Sequence, residues 1–178
     1  APEGVLNVVN GDKVAVDAIL KHPEIKAVSF VGSSDIAQYV YATGTAHGKR
    51  VQAMGGAKNH GIIMPDANME QAVKDIVGAA YGSAGERCMA ISVAVPVGQK
   101  TADALVERLV PRIEKLKVGP YTAGEDIDFG PVITKASQDR INGLIDSGVS
   151  QGAELVVDGR GFTMQGYENG FFVGPSFF

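Results

Sequence analysis

Cys88 is the only cysteine in the chain, and it closes the run Gly82-Ser83-Ala84-Gly85-Glu86-Arg87-Cys88. A thiolate attacks carbonyl carbon well and leaves a thioester, so this residue is a candidate nucleophile. The glycines at 82 and 85 let backbone approach a substrate closely, and Arg87 favours the thiolate electrostatically. On local residues alone the plainer reading stays open, because a free cysteine usually packs as a small hydrophobe. Arg87 can hold a substrate carboxylate by a two-pronged, charge-assisted pair, or it can form a structural ion pair. His22, His47 and His60 stand in unrelated contexts, and none is marked by its neighbours as a base for Cys88. Lys58 reads as a structural or loop-stabilising residue.

A second candidate lies at Gly32-Ser33-Ser34, a glycine turn between an apolar run and a helical one. Such a turn presents backbone N–H groups at the positive end of a helix, where phosphate or pyrophosphate binds. The dinucleotide fingerprint G-x-G-x-x-G is absent, since Ala37 occupies its last position, so an ordinary strand-to-helix turn remains the alternative.

Two strand-and-helix series must position these residues. Val5–Val9 reads as a buried strand ended by Asn10-Gly11, and Asp12 caps a helix to about Lys21 with Val14, Ala18 and Ile19 on one face. Ala27–Val31 is a second strand, followed by the glycine turn, a helix to about Thr43 and a third strand at Lys49–Ala53. That order is the grammar of a parallel α/β sheet. After the Gly55-Gly56-Ala57 loop comes a brief strand at Gly61–Met64. Pro65-Asp66 then opens a helix with Met69, Val73, Ile76, Val77 and Ala80 on one face. Ile91–Val97 is apolar enough for a sheet covered on both faces. A helix over about Thr101–Leu116 turns Leu105, Leu109, Ile113 and Leu116 to the core, with a kink expected at Pro111. A further helix near Lys135–Ser147 and a strand at Glu154–Asp158 complete the series. The expected boundary lies near Met54, dividing residues 1–53 from 54–178.

Composition narrows the function classes. Of 178 residues, 45% are hydrophobic and 20% charged, values that a folded domain shares and a disordered chain does not. A net charge of −4 disfavours a nucleic-acid partner. No apolar run approaches the roughly 20 residues that span a bilayer, and no signal peptide is visible, so no membrane partner is expected. One cysteine excludes an internal disulfide and any multi-cysteine metal site, which points to the cytosol or an organelle matrix. Ala1-Pro2-Glu3-Gly4 reads as entry into a strand, and four of the seven phenylalanines fall in the last eight residues. An end that apolar is expected to lie under other protein, so the chain reads as a segment.

Phe30-Val31-Gly32-Ser33, then Met54-Gly55-Gly56-Ala57-Lys58, then Gly85-Glu86-Arg87-Cys88 resemble the aldehyde dehydrogenase superfamily in order and distance. The family normally carries Glu-Leu-Gly-Gly-Lys at Met54–Lys58, with its nucleophilic cysteine 34 residues after that glutamate, as Cys88 follows Met54 here. Gly56–His60, Gly85–Ala90 and Tyr167–Pro175 are most similar to the CoA-acylating branch that acts on methylmalonate semialdehyde. The resemblance covers essentially the whole chain. It implies an α/β fold: the end of a Rossmann-like coenzyme domain (1–53) joined to the start of a three-layer αβα catalytic domain (54–178).

The activity it implies is NAD-dependent aldehyde oxidation in which Cys88 attacks the small-molecule aldehyde and is left as a thioester. Gly32 and Ser33 match the family's coenzyme-phosphate turn, Gly55 matches a position near the nicotinamide, and Arg87 is assigned to the substrate carboxylate. No metal is implied. Methionine at 54 cannot accept a proton, so base-assisted hydrolysis loses its agent and coenzyme A captures the acyl group. The products implied are propionyl-CoA or acetyl-CoA and carbon dioxide. Family members are homodimers or homotetramers, bacterial ones cytoplasmic and eukaryotic ones of this branch in the mitochondrial matrix. The family's oxyanion-hole asparagine lies outside the matched residues, so the segment alone is expected to be inactive. The alternatives are a hydrolytic family member that uses another base and a non-catalytic relative.

Overall fold

The Asp12 carboxylate accepts a hydrogen bond from the Val14 amide and starts helix α1 (Lys13–Lys21), satisfying one of the free donors of its first turn. The computed structural model describes residues 1–124 and 126–178. Strand β1 (Ala27–Val31), helix α2 (Ser34–Ala46) and strand β2 (Arg50–Met54) follow as a parallel β-α-β unit, with Ala27 opposite Arg50 and Val31 opposite Met54. Gly44 lets α2 lie close on β2, since a Cβ there would fall 2.6 Å from Val51 Cγ2. Beside them Lys49 is buried, its ammonium donating to the carbonyl oxygens of His22 and Ile25. These elements form one compact unit, Ala1–Ala57.

The second unit, Lys58–Phe178, repeats the arrangement. Strand β3 (Asn59–Ile63) and strand β4 (Ile91–Pro96) pair in parallel around helix α3 (Met69–Tyr81). Helix α4 (Gln99–Ile113) packs against α3, and helix α5 (Lys135–Ser150) follows an irregular connection. Ile63, Val73, Leu105, Leu109 and Ile113 form the main core, with Met69, Ile76 and Val77 against it, so the expected apolar faces of α3 and α4 are the ones buried. Val118, Phe129 and Phe172 form a second cluster. The compact units divide after Ala57, because Val31 and Met54 still pair as the last rung of the first sheet.

Several expectations need correction. Val5–Val9 is not a buried strand: Leu6 and Val8 are more than four-fifths exposed, and no described strand pairs with it. Helix α1 buries Leu20, while Val14 is 76% exposed. Asp17 accepts from the Tyr39 hydroxyl of α2 at 2.6 Å, which turns the Asp17-Leu20 side inward. Helix α3 begins at Met69 because Asn68, not Asp66, caps it, accepting from the Gln71 amide. The residues at 154–158 form no strand but a single antiparallel bridge, Val157 with Phe177. Strand β4 is half-buried along most of its length, so it is not covered on both faces. Helix α4 ends at Ile113, short of the expected Leu116, with the Glu114 amide bonded to Val110 O. Of the terminal phenylalanines, Phe172 and Phe177 pack within the unit's own clusters, and only Phe178 is substantially exposed.

Candidate active site

Cys88 sits where the chain leaves α3 by an unusual route. Ser83 (φ 53°), Ala84 (φ 53°) and Gly85 (φ 73°) are three successive left-handed residues. Glycine adopts that conformation freely, whereas a residue with a Cβ is strained there by about 1–2 kcal/mol. The two strained residues are held by local bonds: the Glu86 amide donates to Ser83 O at 3.0 Å, and Arg87 Nε donates to Ser83 Oγ at 3.1 Å. Gly82 leaves room for that second bond. A Cβ on it would fall 2.6 Å from Arg87 Nη1 and 2.8 Å from Cζ, so the guanidinium folds back against bare backbone. Arg87 therefore pairs with the turn and not with Glu86.

The result is a turn, Arg87–Met89, that presents Cys88 to solvent. The thiol is exposed, so it does not pack as a small hydrophobe. The Ala90 amide donates to Arg87 O at 3.1 Å and closes the turn. Its other anchor is Asn59, the first residue of β3, whose Nδ2 donates to Cys88 O at 2.8 Å and to Ala90 O at 3.0 Å. Sequence reasoning missed this role, and the one available signal was a polar residue opening an otherwise apolar strand.

Each histidine has its Nδ1 engaged by nearby backbone: His22 with the Glu24 amide, His47 with Thr43 O, and His60 with Lys58 O. Tyr81, the last residue of α3, donates its hydroxyl to Ser176 O at 3.0 Å, and burial pushes its phenol up to about 12. A cavity of about 780 Å³ runs behind the turn, but its walls are core residues such as Leu105, Leu109 and Ile113, and neither Cys88 nor Arg87 lines it. Among the described residues no group of three or more histidine, cysteine or carboxylate side chains is placed to hold a metal ion, and no helix is long and apolar enough to cross a membrane.

The first unit gathers Gly32, Ser33 and Gly55. The Gly32 amide donates to Met54 O at 3.0 Å, and a Cβ at 32 would collide with the Phe30 ring at 2.5 Å. Ser34 Oγ accepts from the Gly56 amide at 3.1 Å and docks the Gly55-Gly56 loop on the start of α2. A Cβ on Gly55 would fall 2.8 Å from that oxygen and 3.0 Å from Ser34 Cα. Ser33, the N-cap of α2, makes no capping bond with its side chain, unlike Asp12, Asn68 and Thr134 on α1, α3 and α5. Met54 ends β2 and is 51% exposed.

Known proteins resemble this chain over its whole length. The sequence model described as "Aldehyde dehydrogenase family" matches residues 1–178. The malonate-semialdehyde dehydrogenase of Pseudomonas aeruginosa is 63% identical over 177 residues, covering 99% of this chain and 35% of that protein. The mitochondrial acylating methylmalonate-semialdehyde/malonate-semialdehyde dehydrogenase of Bos taurus is 50% identical over 178 residues, with 99% and 32% covered. A Sinorhizobium meliloti 1021 protein, ascribed to methylmalonate-semialdehyde dehydrogenase and solved in complex with NAD, matches with a TM-score of 0.94 at 65% identity, with 99% and 36% covered. The chain thus spans about a third of the length of the relatives it matches.

Proposed function

The chain belongs to the aldehyde dehydrogenase family, and from that premise we propose that it carries the nucleophile of an NAD-dependent, CoA-acylating oxidation of malonate or methylmalonate semialdehyde. The observation that carries the reading is the exposed Cys88 thiol on a turn built with Arg87, in a chain 63% identical to a malonate-semialdehyde dehydrogenase. Cys88 Sγ attacks the aldehyde carbon, and after oxidation the acyl group stays on that sulfur as a thioester. Arg87 holds the substrate carboxylate, with the Ser83 hydroxyl and the bare face of Gly82 orienting its guanidinium.

The start of α2 suits a coenzyme phosphate. Its first-turn amides are left without a side-chain cap, and Gly32 and Gly55 keep backbone where a Cβ would collide. On this reading Gly32 and Ser33 hold the pyrophosphate and the Gly55 backbone borders the nicotinamide half. When bound, NAD supplies the acceptor for the electron pair leaving the aldehyde carbon. Met54 stands where hydrolytic relatives hold glutamate and cannot activate water. Coenzyme A, as co-substrate, therefore takes the acyl group, and acetyl-CoA or propionyl-CoA leaves together with carbon dioxide. We assign residues 1–53 to the coenzyme domain and 54–178 to the catalytic one, in a homodimer or homotetramer. The compartment is the bacterial cytoplasm or, as the name of the Bos taurus relative suggests, the mitochondrion.

Intact-mass and product analysis of the full-length protein with malonate semialdehyde and NAD tests this. An acyl adduct on Cys88 that only CoA discharges is the expected result. Prompt release of free acid without CoA moves the enzyme to the hydrolytic branch, and absence of any adduct removes the catalytic reading.

A further inference from the structure

We infer that Asn59 is a positioning residue for Cys88: its side-chain amide clamps the turn that carries the thiol. The inference rests on the reading of Cys88 as nucleophile. The β3–β4 ladder pairs Asn59 with Ile91, but the next rung joins His60 to Val93, so Ser92 is an extra residue and the register slips at this point. A bulge of this kind bends a strand and leaves backbone groups unpaired. Beyond it the chain of β4 runs back toward Cys88 with no β3 backbone left to pair with it. The Asn59 side chain takes over where the ladder stops. Both of its bonds, to Cys88 O and to Ala90 O, come from the single nitrogen Nδ2 and bridge alternate residues, as a neighbouring strand does.

The placement has a consequence for the reaction. Cys88 and Met89 are exposed, Met89 at 81%, so no packing fixes the turn from outside. Its upstream arm is the strained left-handed run at Ser83–Gly85, which relaxes if its restraints are lost. The Ala90 amide bond to Arg87 O closes the turn but ties it to nothing else. Asn59 is the link from the Cys88 peptide to the sheet. A thiolate attacking a carbonyl must approach within a narrow angle and distance, and a 1 Å displacement costs on the order of 10²-fold in rate. A freed turn still exposes the thiol, and the residues assigned to NAD lie outside it. Asn59 thus acts on the rate of Cys88 acylation and not on NAD binding.

The test uses Asn59→Ala, which removes the donor without adding charge, and Asn59→Asp, which keeps the shape but offers only acceptors to two carbonyl oxygens. Both are made in the full-length protein beside Cys88→Ala. Acylation of Cys88 in a single turnover is expected to fall about 10–100-fold in each Asn59 variant. KM for propanal, which has no carboxylate for Arg87 to hold, and Kd for NAD should stay within about threefold, and iodoacetamide should alkylate Cys88 at least as fast as in the parent. A residue that merely stabilises the sheet predicts a lower melting temperature with turnover per folded molecule unchanged. The inference is overturned if Asn59→Ala keeps its acylation rate within about threefold, or if KM for propanal or Kd for NAD rises in proportion to the loss of rate. It is also overturned if a folded variant protects Cys88 from alkylation. Should Asn59→Asp fail to fold, Asn59→Ala decides alone. Turnover retained by Cys88→Ala instead sinks the underlying reading of the nucleophile and is distinguishable from all of these.

Discussion

On the proposed reading, Arg87 and Met54 are the residues at which the chemistry parts from a general aldehyde oxidation. Among the described residues the Arg87 guanidinium makes one hydrogen bond, from Nε to Ser83 Oγ, and its terminal nitrogens make none. In Arg87→Leu, KM for malonate semialdehyde should rise by about 10²-fold, since a charge-assisted pair of roughly 1.5–3 kcal/mol is lost, while KM for propanal stays within about threefold. Equal rises for both aldehydes, measured by steady-state kinetics, remove Arg87 from recognition. Met54 lies half-exposed at the end of β2, where a carboxylate can be carried without burial. Met54→Glu is therefore expected to fold normally and to speed release of free acid from the Cys88 thioester in the absence of CoA by about 10²-fold or more, the usual yield of a general base. Unchanged hydrolysis in a variant that still forms the thioester shows that the missing carboxylate is not what directs the acyl group to CoA.

At the scale of elements, periodicity in the sequence locates most helices and both strand pairs, but the joints between them follow from contacts that periodicity cannot carry. The apolar face of α3 is legible because Met69, Val73, Ile76 and Val77 repeat at helical spacing and nothing competes for them. The face of α1 is not, because a long-range bond from Tyr39 to Asp17 overrides the hydrophobic pattern. Val5–Val9 has the composition of a strand without a partner edge, a condition that one segment cannot report about itself. Among the candidate residues, the types and spacing of Gly32, Ser33 and Gly55 in the first unit and of Arg87 and Cys88 in the second are visible in the sequence, whereas the left-handed run at Ser83–Ala84 and the Asn59 anchor exist only in three dimensions. Tyr81 shows the same dependence at the end of α3, where its hydroxyl reaches Ser176 O. Burial favours the neutral phenol, so the folded group titrates at about 12 and the unfolded one near 10.0. Between those values the unfolded chain has released a proton that the folded one retains, and stability falls as pH rises through this window. Tyr81→Phe should be less stable by about 1 kcal/mol near neutrality through loss of the bond, and urea midpoints should show that deficit shrinking between about pH 10 and pH 12. A deficit that stays constant across the window excludes Tyr81 as the titrating group.

For the molecule as a whole, the two compact units differ in what holds each together. Residues 1–57 enclose few large side chains: Leu20 and Val40 are fully buried, and beside them Lys49 is bonded through its ammonium to two loop carbonyls. Residues 58–178 hold two apolar clusters, the larger built from five buried side chains on three elements. Stabilisation of about 25 cal/mol per Å² of buried apolar surface accrues to each unit from its own core, and local opening follows the weaker one. Amides in β1 and β2 are therefore expected to exchange with deuterium faster than those in β3, β4 and the buried turns of α3 and α4. Peptide-resolved hydrogen exchange at constant pH reads the difference directly. The same experiment with NAD carries the functional half of the argument. A coenzyme that binds the uncapped start of α2 and the Gly55 loop should slow exchange at 32–36 and 55–56, and through them in β1 and β2, while leaving the α4 core unchanged. Slower exchange in the first unit without NAD overturns the ranking of the two cores. Protection by NAD confined to residues 58–178 overturns the assignment of Gly32, Ser33 and Gly55 to the coenzyme.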